Sequence, residues 1–163
     1  MTTFPPERHA LAGGQLRPLE SGEGAALAEA LSRIDPWARL GYGAATLARY
    51  LERDDGALVR FVVEDGGGGP AGLLGLRHPW LRGPYIELFA ILPGHQGKGL
   101  GREVITWIAA RAAAISPNLW ACVSDFNTAA RGFYAANGFA EITPLDDLVA
   151  PGQAEILLRR RLK

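Results

Sequence analysis

A mixed α/β fold is what this sequence predicts: one mostly antiparallel sheet of about six or seven strands flanked by about four helices. Three observations lead there. Between residues 57 and 92 apolar runs alternate with short turn signals, which builds antiparallel neighbours. Across residues 85–137 strand, helix, strand and helix follow one another, an order that requires one parallel crossover. The length, 163 residues, suits a single domain that buries about two-thirds of its unfolded surface.

Residues 1–13 carry Pro5-Pro6 and little periodicity, so a frayed N-terminus is expected before a first strand at about residues 15–19. Ser21 suits an N-cap with Glu23 in the first turn, and Ala26, Leu27, Ala30, Leu31 and Ile34 recur at helical spacing. Asp35-Pro36 ends that helix. A second helix, residues 44–51, keeps Leu47, Tyr50 and Leu51 on one side. The loop between them, Trp37-Ala38-Arg39-Leu40-Gly41-Tyr42, suits either the lining of a substrate pocket or a plug over the core.

Residues 57–64 form a strand closed by Asp65 and four glycines, Gly66 to Gly69, a hairpin tip rather than a linker. Residues 71–77 pair with it, and His78 to Pro84 turns the chain into an apolar strand from Tyr85 to Leu92. Pro93 stops that strand, and a glycine-rich loop then runs into a helix that begins near Gly99. Leu100, Val104, Ile105, Ile108 and Ala112 give this third helix one apolar stripe, which lays it on the sheet; it ends before Pro117. Residues 118–123 are strand five, parallel to the Tyr85 strand, and Ser124 to Asn127 turns into and caps helix four, residues 128–137, ended by Gly138. Residues 139–143 and 155–161 close the sheet.

Composition removes several classes. Lys+Arg and Asp+Glu both number 17, so no net field draws the chain to nucleic acid or membrane. One cysteine, Cys122, builds no internal disulfide framework, and no Cys/His cluster has metal-ligand spacing, so no metal is expected. No apolar run approaches the roughly 20 residues of a membrane span, and the N-terminus lacks the basic-then-apolar order of a signal peptide. A cytoplasmic location is the expectation.

The strand, glycine loop and helix around residue 97 build an anion site. The first N–H groups of a helix have no intrahelical partner, so an anion placed there gains hydrogen bonds and a favourable dipole together. Gly97, Gly99 and Gly101 admit a bulky group and let successive N–H groups converge. Phosphate is the natural ligand. A Walker loop is excluded because Gly97-Lys98 is followed by Gly99, which has no hydroxyl for magnesium. The dinucleotide fingerprint fails at Arg102, where it needs a glycine.

Gln96-Gly97-Lys98-Gly99-Leu100-Gly101 instead resembles the Gln/Arg-x-x-Gly-x-Gly/Ala acyl-CoA signature of the GNAT superfamily of N-acyltransferases, matching every fixed position. The stretch NTAARGFYAANGF, Asn127 to Phe139, resembles the segment of that family in which an Asn opens the fourth helix, an aromatic-Tyr pair lies within it and Gly-Phe follows. The motifs stand in the family's order, and the resemblance is specific over residues 85–139. The N-terminal half, where the family varies and usually holds substrate, carries no motif.

The resemblance implies a mixed GNAT-like sheet whose fourth and fifth strands splay, with the pantetheine arm of acetyl-CoA, the cosubstrate, entering the gap. A bulge near residues 89–91 would free strand N–H and C=O groups, with which the arm pairs as an added strand does. On that analogy Phe89, Ala90 and Ile91 face the pantetheine. Gln96, Gly97, Lys98, Gly99, Leu100, Gly101 and Arg102 form the pyrophosphate loop, and Asn127 and Tyr134 meet the arm beyond it. Phe89 and Ile91 fit equally well as core residues, and Asn127 fits as a simple helix cap.

Transfer from a thioester to an amine needs a neutral amine, a polarised carbonyl and a proton for the departing thiolate. Tyr134 matches the family's general-acid Tyr, and the Ile91 N–H is placed to hold the carbonyl. Glu87 is the candidate base, sharing a strand face with Tyr85, Phe89 and Ile91 upstream of the bulge; a pocket-electrostatic role, with a water chain as base, is the alternative. Relatives that place a Glu on strand five have no counterpart here, since Cys122 occupies that place, and a small buried role suits Cys122 better than that of an acyl-carrying nucleophile. Trp37, Tyr42, Trp80 and Tyr85 are candidates for an aromatic-walled acceptor pocket, with Glu87 favouring a cation. The leading reading is acetyl transfer to a primary amine of a small molecule. A protein N-terminal or lysine acetyltransferase, a non-catalytic acyl-CoA sensor and a protein-recognition domain are the alternatives. Homodimers are common in this fold.

Overall fold

A computed structural model describes residues 3–163. The elements run β1 (His9–Leu11), β2 (Gly14–Pro18), α1 (Gly24–Ser32), α2 (Trp37–Leu40), α3 (Ala44–Glu52), β3 (Leu58–Asp65), β4 (Pro70–Trp80), β5 (Gly83–Ile91), α4 (Leu100–Ala113), β6 (Asn118–Ser124), α5 (Thr128–Ala136), β7 (Ala140–Asp146) and β8 (Ala154–Arg161). The strands form one 8-stranded sheet in the order β1-β2-β3-β4-β5-β6-β8-β7. Every neighbouring pair is antiparallel except β5 and β6. This is the mixed α/β architecture expected, with a strand count of 8 where about six or seven were expected.

Both faces of the central strands are covered, which is why Phe61, Val62 and Val63 on β3 are all buried. Phe61 and Val63 pack with Val104, Ile105 and Ile108 of α4, so the stripe predicted for that helix is the one it buries. Val62, Leu73 and Leu88 pack on the other face against Leu27 and Leu31 of α1 and Leu47 and Leu51 of α3.

Four expectations need correction. The extra strand is β1, in the stretch expected to fray. Residues 1 and 2 of that stretch lie outside the described residues, but Phe4 is buried against Trp107, and the His9 ring lies 4.7 Å from Trp107. Aromatic burial holds the segment where periodicity is too short to register. The 37–40 loop is one helical turn, ended by Gly41 in the left-handed conformation. Helix α1 begins at Gly24 behind Glu23, not behind Ser21, and Glu23 is drawn aside by a two-pronged contact to Arg17 at 2.7 and 2.8 Å. The bulge falls at Glu87: Gly75 pairs with Leu88 while Leu76 pairs with Ile86, leaving Glu87 as the extra residue.

That bulge reverses the alternation of β5. Ile86 belongs to the α4-side core, whereas Leu88 and Ala90 belong to the α1 and α3 side, and Phe89 and Ile91 pack towards α4. Glu87 therefore does not share a face with Phe89 and Ile91. Among the described residues no helix is long and apolar enough to cross a membrane.

Candidate active site

Strands β5 and β6 pair at only two positions, Tyr85 with Trp120 and Ile86 with Ala121. Beyond Ile86 they part, because β6 continues its ladder with β8 through Ser124 while β5 stays with β4 to Ile91. Two adjoining cavities open along the gap, of about 700 and about 660 Å³. They share Pro36, Trp37, Phe89, Asn127, Ala130 and Tyr134, which mark the junction.

The first cavity ends at the glycine loop. Phe89, Ala90, Ile91, Gln96, Gly97, Gly99, Leu100, Gly101, Arg102, Asn127 and Tyr134 line it. Lys98, the remaining residue predicted for the loop, is exposed and off the wall. Gly97 and Gly99 have φ of +75° and +83°, and α4 starts behind Gly99 with no side-chain cap. The first helical N–H groups are thus left for an outside acceptor, and a diphosphate supplies one. Gln96 shapes the loop from behind: its amide donates to the Ile91 carbonyl at 2.8 Å, tying the loop to the end of β5. A Cβ at Gly101 would meet the Phe133 ring at 3.3 Å, so a residue larger than glycine there makes the ring give way, and glycine keeps α4 and α5 in close approach without it.

Asn127 caps α5, its Oδ1 accepting from the Ala130 N–H at 3.2 Å. About two turns on, Tyr134 lies at the junction, packed edge-on between Phe133 and Phe139. It lines both cavities. Burial raises its pKa above the ordinary phenol range, with the neighbouring Cys122 adding to the effect, so it stays protonated through neutral pH.

Side chains wall the second cavity. Trp37, Tyr42 and Tyr85, three of the four predicted acceptor residues, line it together with Tyr50, Glu87, Cys122 and Glu155. Trp80 does not reach the wall; it stacks on the Tyr85 ring at 4.5 Å and meets Trp120 edge-on, so it braces Tyr85 from behind. Arg49 and Arg53 stand on the same wall and are exposed. Glu87 is held by Arg77, whose Nε and Nη2 donate at 2.6 and 3.2 Å, with Arg53 a further 3.9 Å away. Its charge is therefore compensated before any substrate arrives, which weakens the expectation that it draws in a cation. Cys122 is half-buried, and its thiol pKa is raised by burial, the opposite of an activated nucleophile.

Sequence reasoning missed Glu155. It is 8 % exposed, faces this cavity beside Ser124, and accepts from the Ser124 hydroxyl at 2.7 Å. Burial pushes its pKa up, and Asp125 adds to the rise. The available signal was one carboxylate inside the otherwise apolar run Ala154 to Leu158, a place where a charge is costly unless used.

Residues 25–139 match the sequence model of the acetyltransferase (GNAT) family. No curated protein sequence matches the chain. Among solved structures, the fold is similar to spermidine N-acetyltransferase from Vibrio cholerae in complex with CoA and spermine, with a TM-score of 0.68 and 23% identity over 90% of this chain and 94% of that one. It is similar also to a GNAT-family protein from Desulfovibrio desulfuricans (TM-score 0.71, 17% identity, 94% of this chain and 100% of that one). Nourseothricin acetyltransferase aligns with a TM-score of 0.60 and 23% identity over 68% of each chain.

Proposed function

Because this chain belongs to the GNAT acetyltransferase family, we propose that it moves the acetyl group of acetyl-CoA to a primary amine of a small molecule by direct attack. The observation that carries the reading is the continuous gap from the uncapped start of α4, past Tyr134, into a second cavity with aromatic walls. The similar Vibrio cholerae enzyme in complex with CoA and spermine supports both ligand classes.

In this reading the diphosphate lies on the N–H groups behind Gly97 and Gly99, the pantetheine runs along Phe89 to Ile91, and the thioester reaches the junction. The amine enters through the second cavity between Trp37, Tyr42 and Tyr85. Its lone pair attacks the carbonyl carbon, the C–S bond breaks, and Tyr134 gives the thiolate its proton. Glu87, held by Arg77, shapes the field of the acceptor cavity rather than removing the proton itself.

Calorimetric titration with acetyl-CoA, followed by thiol release across a panel of primary amines (phenethylamine, spermidine, an aminoglycoside and a lysine-containing peptide), tests the reading. Micromolar binding and turnover of a small amine are expected. Binding without turnover of any amine would favour a sensor, turnover of the peptide alone a protein acetyltransferase, and no binding would remove the cofactor assignment.

A further inference from the structure

We propose that Glu155 is the general base of this site, taking the first proton from the acceptor ammonium before attack; the inference rests on the acetyl-transfer reading above. Ser124 and Glu155 sit directly opposite each other on β6 and β8, and Cys122 lies two residues before Ser124 on the same face. That face looks into the second cavity, where Glu155 shares the wall with Tyr85 and Tyr134. The carboxylate therefore stands on the acceptor side of the junction, across from the side where the loop would hold the cofactor.

Its surroundings do not account for it as a structural group. Glu155 Oε1 accepts from Ser124 Oγ, and Oε2 is not among the buried atoms that lack a partner, so it opens on the cavity. A carboxylate with no arginine or lysine against it among the described residues and one oxygen open to a cavity is free to accept a proton from a cation that enters there. Glu87, by contrast, has both oxygens taken by Arg77. The titratable groups facing Glu155 are Tyr85 and Glu87 on β5, Cys122 on β6, Asp125 beyond it and Tyr134 on α5; Arg49 and Arg53 stand on the same cavity wall. Asp146 on β7 lies opposite Ala154. The upward shift that burial gives this carboxyl brings its basicity closer to working pH, where a base is most effective.

R–NH3⁺ and Glu155 carboxylate give R–NH2 and the carboxylic acid; the amine then adds to the thioester carbon. Collapse breaks the C–S bond, the sulfur takes the Tyr134 proton, and the proton remaining on the amide nitrogen returns to Tyr134 through water. Glu155 releases its proton to solvent, so the sum is amide, CoA thiol and one proton.

The test compares wild type, Glu155→Gln and Glu155→Asp, with acetyl-CoA and whichever panel amine the wild type turns over fastest. For Glu155→Gln, kcat/KM should fall about 10²- to 10⁴-fold. Its acid limb should be replaced by a rise of about tenfold per pH unit that follows the amine's own ionisation, near pKa 10. Glu155→Asp should keep a limb of the wild-type form. Acetyl-CoA affinity and thermal unfolding should be unchanged in both. An unaltered pH profile in Glu155→Gln, with the wild type active, overturns this inference alone. A wild type that binds acetyl-CoA but turns over no amine overturns the acetyl-transfer reading and this one with it.

Discussion

The two halves of the gap are made of different material. The first cavity, proposed for the cofactor, ends on backbone: glycines with φ that side chains resist, a helix start with no cap, and an amide that ties loop to strand. The acceptor-side cavity is a side-chain site, collected from α2, α3, β5, β6 and β8. A backbone site recognises what every acyl-CoA has in common, and it tolerates little substitution because its ligand groups are the chain itself. A side-chain site can be rewritten one residue at a time, which is how one fold serves many acceptors.

That contrast can be broken most severely at Gly99. Gly99→Glu imposes a side chain on a left-handed position, costing about 1–2 kcal/mol. It also sets a carboxylate against the diphosphate, a clash of several kcal/mol. Acetyl-CoA affinity should drop more than about a hundredfold by calorimetry, while the acceptor cavity is untouched.

Tyr134→Phe probes the junction. It removes one oxygen from a side chain otherwise held by Phe133 and Phe139, so acetyl-CoA affinity should persist while kcat falls about a hundredfold or more. Equal turnover by the variant would take Tyr134 out of the mechanism.

Glu87→Gln sharpens the acceptor half. Because Arg77 already occupies both carboxylate oxygens, kcat should change by well under the hundredfold or so that loss of a general base gives, and KM for the amine should carry most of the effect. A fall in kcat as large as that of Tyr134→Phe would return the base to Glu87.

The smallest effect lies away from the gap. Glu23 and Glu64 both contact Arg17, and Arg17 holds both carboxyls below the usual 4.5. Folded-state pKa values below the unfolded ones mean the stabilisation is full above about 4.5 and is lost as pH falls through the lowered values. The thermal midpoint should decline over that acid range, at about 2–4 °C per kcal/mol for a chain of this size. Arg17→Met should flatten the decline.

How far each feature could be read from the sequence follows the same division. The stripe of α4, the hairpin tip at Gly66–Gly69 and the Asn127 cap were legible because periodicity and turn chemistry are local. The loop from Gln96 to Gly101 and the helix start behind Gly99 were legible because turns at positive φ leave glycines in the sequence. Glu155 was not, since its role depends on β8 lying beside β6, a pairing between residues about thirty apart in sequence, and on a Ser that no motif marks. Nor was the bulge at Glu87, because a one-residue insertion in a strand has no signature when the flanking residues are apolar on both faces. Fraying was expected from Pro5-Pro6, but Phe4 and His9 find partners on Trp107, about a hundred residues away.

The junction formed by Trp37, Phe89, Asn127 and Tyr134 has a kinetic corollary. On the proposed reading, donor and acceptor occupy the two cavities and meet at this junction, so neither must leave before the other enters. Initial velocities measured against both should give intersecting double-reciprocal lines, the pattern of a ternary complex, and free CoA should compete with acetyl-CoA but not with the amine.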